Sequence, residues 1–208
     1  YEFDTVAITS ITAFQRFAFN NNVDVDGINT PVPRFTGPSF SQFDVNGGPI
    51  AIDNITQELR LASLGQNRFN YVLGLFYSNL QLDRGFSRRL ATCSPANPAN
   101  AGLAVGANCP APTFLSGGHT ASLENEAYAA FGQFDFELVG GLKLLGGLRF
   151  QHETLSVEGR RTGAPLTPGD VPLFGAIAGR VTTSDDEITG RAGLQYEFSR
   201  RAQIYATY

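Results

Sequence analysis

Tryptophan and methionine are missing from these 208 residues, and cysteine and histidine occur only 2 times each. Charge is scarce as well: 16% of residues carry it, against about 25% in an ordinary soluble domain. With 12% aromatics, that shortage excludes intrinsic disorder, which goes with high charge and few aromatics. The 15 basic and 19 acidic side chains leave a net charge of −4, so nothing attracts a polyphosphate backbone and no nucleic-acid partner is expected. No secretory signal opens the chain, because Tyr1 to Phe19 has neither a basic start nor a continuous apolar core. Also absent is the run of about 18 apolar residues that a membrane helix requires. The nearest approach, Leu138 to Leu148, is short, carries Lys143 and is broken by glycines. Membrane strands stay open, because their signal is alternation.

Alternation is what the chain has. Phe69, Tyr71, Leu73, Leu75 and Tyr77 share one parity, opposite Asn70, Gly74 and Ser78. Tyr128, Ala130, Gly132, Phe134, Phe136 and Leu138 stand against Gln133, Asp135 and Glu137. Leu142, Leu144, Gly146, Leu148 and Phe150 alternate with Lys143, Arg149, Gln151 and Glu153. Ile188, Gly190, Ala192, Leu194, Tyr196 and Phe198 alternate with Glu187, Arg191, Gln195 and Glu197. Shorter segments, Thr5 to Phe19, Ile55 to Ser63 and Ala202 to the end, follow the same pattern. The reading is about seven strands in an all-β, antiparallel, up-and-down sheet. Ser122 to Phe134 also fits a helical face through Leu123, Ala127, Phe131 and Phe134. Gly132 and the aromatics at period 2 favour a strand there.

The connections alternate in length. Leu64–Asn67, Val139–Gly141 and Ser199–Arg201 are short enough for hairpin turns. The others, roughly 20–54, 84–121 and 159–184, exceed the usual loop of about 4–6 residues several-fold. In an up-and-down sheet every short turn then lies at one end and every long loop at the other, as in outer-membrane barrels. Content separates a membrane barrel from a soluble one. The polar parity holds charges of both signs, Glu58, Arg60, Asp135, Glu137, Lys143, Arg149, Arg191 and Glu197, expected to face a wet lumen. Each apolar run, at ~3.3 Å per residue and ~40° tilt, is about 20 Å tall, near the ~25 Å apolar band of such barrels. Phe69, Phe136, Tyr196 and Phe198 flank it beside the short turns, and Tyr77, Tyr128 and Phe150 flank it toward the long loops. That is an aromatic girdle. A soluble β-domain that binds or scaffolds also alternates, and stays as a rival.

Five segments are similar to the barrel of TonB-dependent outer-membrane receptors: Gln57–Ser63, Tyr71–Tyr77, Tyr128–Phe134, Gly147–Phe150, and Gly193–Tyr196 with Ile204–Tyr208. The resemblance covers the strand portions, about half the chain, and leaves the long loops unmatched. It implies a Gram-negative outer-membrane location and a barrel of about 22 strands with a plugged lumen. It also implies import of a scarce siderophore-, glycan- or vitamin-like ligand, powered through TonB, with membrane lipid, plug and TonB as partners. The chain departs from the family pattern in having no plug, no TonB-contact segment and no closing strand. An odd, open set of strands cannot seal a barrel in lipid, so 1–208 is expected to be an internal segment that transports nothing alone. A passive porin-like channel is the other membrane reading.

Smaller constellations carry less. Cys93 and Cys109, within one Pro/Ala/Asn/Gly-rich stretch, suit a loop-closing disulfide in an oxidising compartment better than free thiols or a metal site lacking further ligands. Asn22, Asp24, Asp26 and Gly27 match half of a calcium loop, but its closing glutamate position holds Pro33. His119 and His152 fall in different segments, and Glu124 with Glu126 reads as solvated acids at a strand's loop end. No nucleophile elbow, phosphate loop or zinc motif is present, so no enzyme and no cofactor is expected.

Overall fold

The computed structural model of the chain describes residues 1–27, 33–36, 41–65, 67–199 and 201–208, with backbone alone for 41–43. The strands are β1 (Val6–Asp24), β2 (Ser41–Ser63), β3 (Phe69–Thr92), β4 (Thr113–Val139), β5 (Leu142–Arg161), β6 (Val171–Pro172), β7 (Ile177–Ser199) and β8 (Ala202–Thr207). They form one 8-stranded sheet in the order β1-β2-β3-β4-β5-β7-β8, with β6 pairing β4 off that path. Every neighbour on the path is antiparallel, and only β6 runs parallel, Leu115 opposite Val171. No helix among the described residues is long and apolar enough to cross a membrane.

All the expected strands are present, including β4 across the segment that also fitted a helix. Their lengths need correction. β2 begins at Ser41 and not Ile55, β3 runs on to Thr92, β4 starts at Thr113 and β7 at Ile177. The long connections therefore shrink to 25–40, 93–112 and 162–176, and the last contains β6, which makes the count eight and not seven. The cause is physical: alternation reports what covers each face, whereas the ladder needs only backbone amides and carbonyls. Glycine misled too. A Cβ on Gly47 would sit 1.9 Å from the Asn21 carbonyl oxygen, so glycine there permits close strand approach and not a turn. Gly140 and Gly141, with φ of 54° and 83°, do make the expected two-residue hairpin. Gln66 and Arg200, in the other short turns, lie outside the described residues.

The sheet has no core of its own. Among the described residues the buried hydrophobics are Phe35, Leu90, Ala91, Cys93, Cys109 and Ala129, mostly at the loop end. The accessible surface is 13778 Å², against about 9,400 Å² from the scaling for a compact monomer of this mass. The excess lies on the sheet's faces, where Leu75, Leu148 and Ile188 are 59%, 62% and 71% exposed.

At the loop end the connections fasten to one another. Cys93 and Cys109 form a disulfide, with Cα atoms 6.0 Å apart, and pack with Phe35 and Leu103. The backbone of the first loop zips onto the stapled one: Phe35 N–H donates to Ala107 O (2.8 Å), Gly106 N–H to Phe35 O (2.7 Å) and Cys109 N–H to Pro33 O (2.9 Å). Asn100, 1% exposed, accepts at Oδ1 from Ala111 N–H (3.0 Å) and donates from Nδ2 to Ala111 O (2.9 Å).

Closing a loop of this length stabilises it by roughly 3 kcal/mol in the chain-entropy model. The Cys93→Ser variant is therefore expected to be nicked by proteinase K within 93–112 far faster than the parent, while the strand fragments stay intact. Equal nicking of the two would show the disulfide to be irrelevant to loop order.

Candidate functional site

The ladders are in register over long stretches, β3 on β4 without a shift from Phe69↔Phe136 to Thr92↔Thr113. Cross-strand rows can therefore be followed around the sheet, and each row belongs wholly to one face. At mid-height one face carries Ile8–Leu61–Leu73–Gly132–Leu148–Gly190. On this apolar face Phe69 meets Phe134 and Phe136 at 5.8 and 6.3 Å between ring centroids. Tyr77 meets Tyr128 at 5.0 Å. Gly146 lets the Phe134 ring lie flat, since a Cβ there would sit 2.5 Å from it. Tyr196 abuts Phe198 at 4.8 Å, and Phe150 faces Ile188.

The opposite face carries the charges. Arg149 donates to Gln151 Oε1 (2.9 and 3.2 Å) and lies 5.8 Å over the rings of both Phe76 and Phe131. Gln151 donates on to Glu153 (3.4 Å), which also accepts from Asn125 (2.7 Å). Arg191 donates to Gln133 (2.6 Å), Asn70 to Asp135 (3.0 Å), and Lys143 pairs with Glu197 at 2.8 Å. Glu58 pairs with Arg60 along β2, and Glu137 opposes Lys143 in the ladder. The residues singled out for charge thus share a face: Glu58 with Arg60 and Lys143 with Glu197 form ion pairs, while Asp135, Arg149 and Arg191 contact amides or rings. The chain joins them in short relays and not in one cluster.

Above the row Tyr77–Tyr128–His152–Asp186 the faces exchange character. The face that was apolar now carries the rows Asn79–Glu126–Thr154–Ser184, then Gln81–Glu124–Ser156–Thr182. Glu126 accepts from Tyr128 and Tyr77 at 2.7 and 3.1 Å, and Glu124 from Asn79 at 3.2 Å. The face that was charged now carries Phe17–Ile52–Leu82–Leu123–Val157–Val181. Parity followed past the tyrosines would have exposed this reversal in the sequence.

The histidines stand on opposite faces. His152 Nδ1 lies 2.7 Å from Asp186, and His119 stacks on Phe86 with centroids 5.0 Å apart. Asp24 accepts from Gly27 N–H (3.0 Å), as a turn-forming carboxylate does, and Asp26 accepts from the distant Asp44 N–H (3.3 Å). No group of three or more metal-ligating acids, histidines or cysteines occurs among the described residues. Pairs that sequence reading missed hold the loops: Asp44 with Arg88, 2.9 Å at Nε, and Asp170 with Arg89 at 2.8 and 3.1 Å. Asp44–Arg88 joins the far ends of β2 and β3 and Asp170–Arg89 joins the 162–176 connection to β3, so no spacing announced them.

This is an up-and-down membrane-type sheet, one face apolar and ringed by aromatics, the other charged. The TonB dependent receptor-like β-barrel family model matches residues 1–208, and the chain belongs to that family. It superimposes on the ferric yersiniabactin uptake receptor FyuA from Yersinia pestis with TM-score 0.66 and 19% identity, covering 100% of this chain and 26% of that one. The ferric-catecholate import receptor Fiu from E. coli K12, open form, gives TM-score 0.49 and 11% identity over 99% of this chain and 33% of that one. The chain thus spans about a quarter to a third of these receptors. No curated protein sequence matches it.

Hydrogen bonding from Arg89 holds the Asp170 carboxyl below the usual carboxylate range, outweighing the opposing effect of burial. A depressed acid stabilises above its unfolded pKa, about 3.9, and loses that contribution as pH falls through its folded value. Leu166 and Thr167 donate to Ser116 Oγ at 2.9 and 3.2 Å beside this pair. Their amide protection, corrected for intrinsic exchange, is expected to hold from neutral pH to about 4 and then fall. Asp170→Asn should lose it at neutral pH. Protection that ignores both changes would dismiss the pair as an anchor.

Proposed function

We propose that the chain is part of the wall of an outer-membrane active transporter that imports a scarce nutrient with energy supplied through TonB. Lipid hydrocarbon covers the apolar face, and the charged face lines the lumen against a plug carried elsewhere in the same protein. The observation that carries this reading is the exposure of an aromatic-bounded apolar band on a single-layer sheet that buries no core beneath it. A soluble domain seldom exposes such a patch, whereas a barrel wall in lipid requires one.

Polar side chains on the other face suit a wet lumen. Arg149 and Arg191, with the relays through Gln151, Glu153 and Gln133, offer hydrogen bonds to water, plug or passing ligand. An apolar lining could offer none. Family membership supports the receptor class and the Gram-negative outer membrane as its place.

Spin labels at Leu73, Leu144 and Leu194 of the full-length receptor in bilayers are expected to be relaxed by dissolved oxygen and shielded from a nickel chelate. Labels at Asp135 and Arg191 should show the reverse. Leu148→Arg, at mid-height on the apolar face, should cost about 2–4 kcal/mol of barrel stability, the range for a cation at the bilayer midplane. Labels at the leucines that see the chelate and not oxygen would refute the membrane assignment. For transport, uptake that persists after TonB is removed would replace the active transporter with a passive channel.

A further inference from the structure

Below mid-height the apolar face is not smooth. Gly132 and Gly146 let neighbouring side chains lean onto the sheet. A Cβ on Gly132 would sit 2.9 Å from Leu73 Cδ2, and one on Gly146 would sit 2.5 Å from the Phe134 ring. Ala192 continues this low ground onto β7, directly opposite Gly146. The result is a hollow of about 760 Å³ rimmed by Phe69, Leu144 and Leu148, within the range of about 300–1,000 Å³ that small organic ligands fill. It runs from the row of Phe69 to the row of Leu148, about 10 Å along strands tilted by ~40°. That confines it to one leaflet, whose hydrocarbon is about 15 Å deep. The short turns at its lower edge mark the periplasmic side, and so the inner leaflet.

A cation stands at its mouth. Arg68, just before β3 and exposed, donates from Nε to Glu137 O (2.9 Å) and from Nη2 to Leu138 O (3.1 Å). These bonds hold the guanidinium 5.2 Å from the centre of the Phe136 ring, which in turn abuts Phe69 on the rim of the hollow. Both acceptors are neutral carbonyls, and no ion pair to Arg68 occurs among the described residues. The acids at this end of the sheet are engaged on the other face, Glu197 by Lys143 and Asp135 by Asn70. The charge of Arg68 and its remaining N–H groups therefore stand open at the aromatic rim, the level of the lipid headgroups.

A second hollow on the same face, of about 480 Å³, lies higher, between Leu75, Tyr77, Tyr128 and Phe150. Its headgroup end carries carboxylates instead: Glu126, bonded by both tyrosine hydroxyls, and Asp186, 2.7 Å from His152 Nδ1. The two hollows are alike in lining and differ in the charge at the mouth. We propose that the lower one binds an anionic glycerophospholipid of the inner leaflet, with an acyl chain in the hollow and the phosphate on Arg68. The inference rests on the membrane reading and goes beyond it, from a wall covered by lipid to a site that selects one lipid class. Arginine suits phosphate through forked hydrogen bonds, and charge complementarity favours a net anion over a zwitterion. A flexible chain can follow a hollow. The wall of a second barrel, convex outward, would rest on Phe69 and Leu148 and leave it empty.

The test uses the full-length receptor in dodecylmaltoside, titrated with phosphatidylglycerol or with phosphatidylethanolamine of identical acyl chains, the bound lipids being counted by native mass spectrometry. The first phosphatidylglycerol is expected to bind about fivefold tighter than the first phosphatidylethanolamine, the worth of one arginine beside an anionic headgroup. Arg68→Gln should erase that preference. Ala192→Phe, which fills the hollow with another apolar side chain, should weaken the first binding of both lipids. Arg201→Gln, which removes an exposed cation of the β7–β8 turn outside the hollow, should change nothing. Heat-modifiable migration confirms that each variant still forms its barrel. Equal affinity for the two lipids, a preference that survives Arg68→Gln, or binding indifferent to Ala192→Phe would overturn the proposal. So would a dimer of receptors that Ala192→Phe disrupts and phospholipid does not. If the leucine labels report lipid while the two phospholipids bind alike, the site alone falls and the membrane reading stands.

Discussion

The ladder of backbone hydrogen bonds is the constraint from which everything else in this chain follows. Antiparallel neighbours hold their register across more than twenty rungs between β3 and β4. That length turns the period-two geometry of a strand into two continuous surfaces. A slip of one residue would carry Leu73 and Leu148 to the charged side and Asp135 and Arg149 to the apolar one. The glycines serve this constraint. Gly74 accepts the Phe131 ring, whose nearest atom would lie 2.2 Å from a Cβ there. Gly47 allows β1 and β2 to approach past Asn21. Registry and close approach do here what a packed interior does in a soluble domain.

Legibility followed from the same fact. Where one face is apolar and the other charged, between the short turns and the tyrosines, the strands and the faces could be read from residue types alone. Charged residues such as Asp135, Lys143, Arg149 and Arg191 fell together because parity and register are one statement. Beyond the tyrosines the reading failed. Residues such as Leu80, Leu82 and Leu123 alternate in the opposite sense, and Gly47–Gly48–Pro49 and Gly85 look like turn punctuation. The ion pairs at the loop end were illegible for another reason. Asp44 with Arg88 and Asp170 with Arg89 join segments that meet only after the strands have brought their ends together.

The reversal at Tyr77–Tyr128–His152–Asp186 makes physical sense on the proposed membrane reading. Below it the outward face meets hydrocarbon and must be apolar, and the inward face meets water and plug. Above it the outward face meets headgroups and water, and there Thr, Ser, Asn, Gln and Glu take over row by row. Tyrosine suits the boundary, with an apolar ring below and a hydroxyl bonded to Glu126 above. A sheet answering to lipid alone would need no change on its inward face at that height. That face turns apolar at the same row, and an apolar surface above the bilayer needs something other than lipid to cover it. Loop, plug and ligand are the available covers. Among the described loop residues, Leu173 and Phe174 pack near its upper edge, beside Gly117. The inward apolar surface above the tyrosines is therefore a demand that the bilayer does not make, set by the protein's own interior and by what enters it.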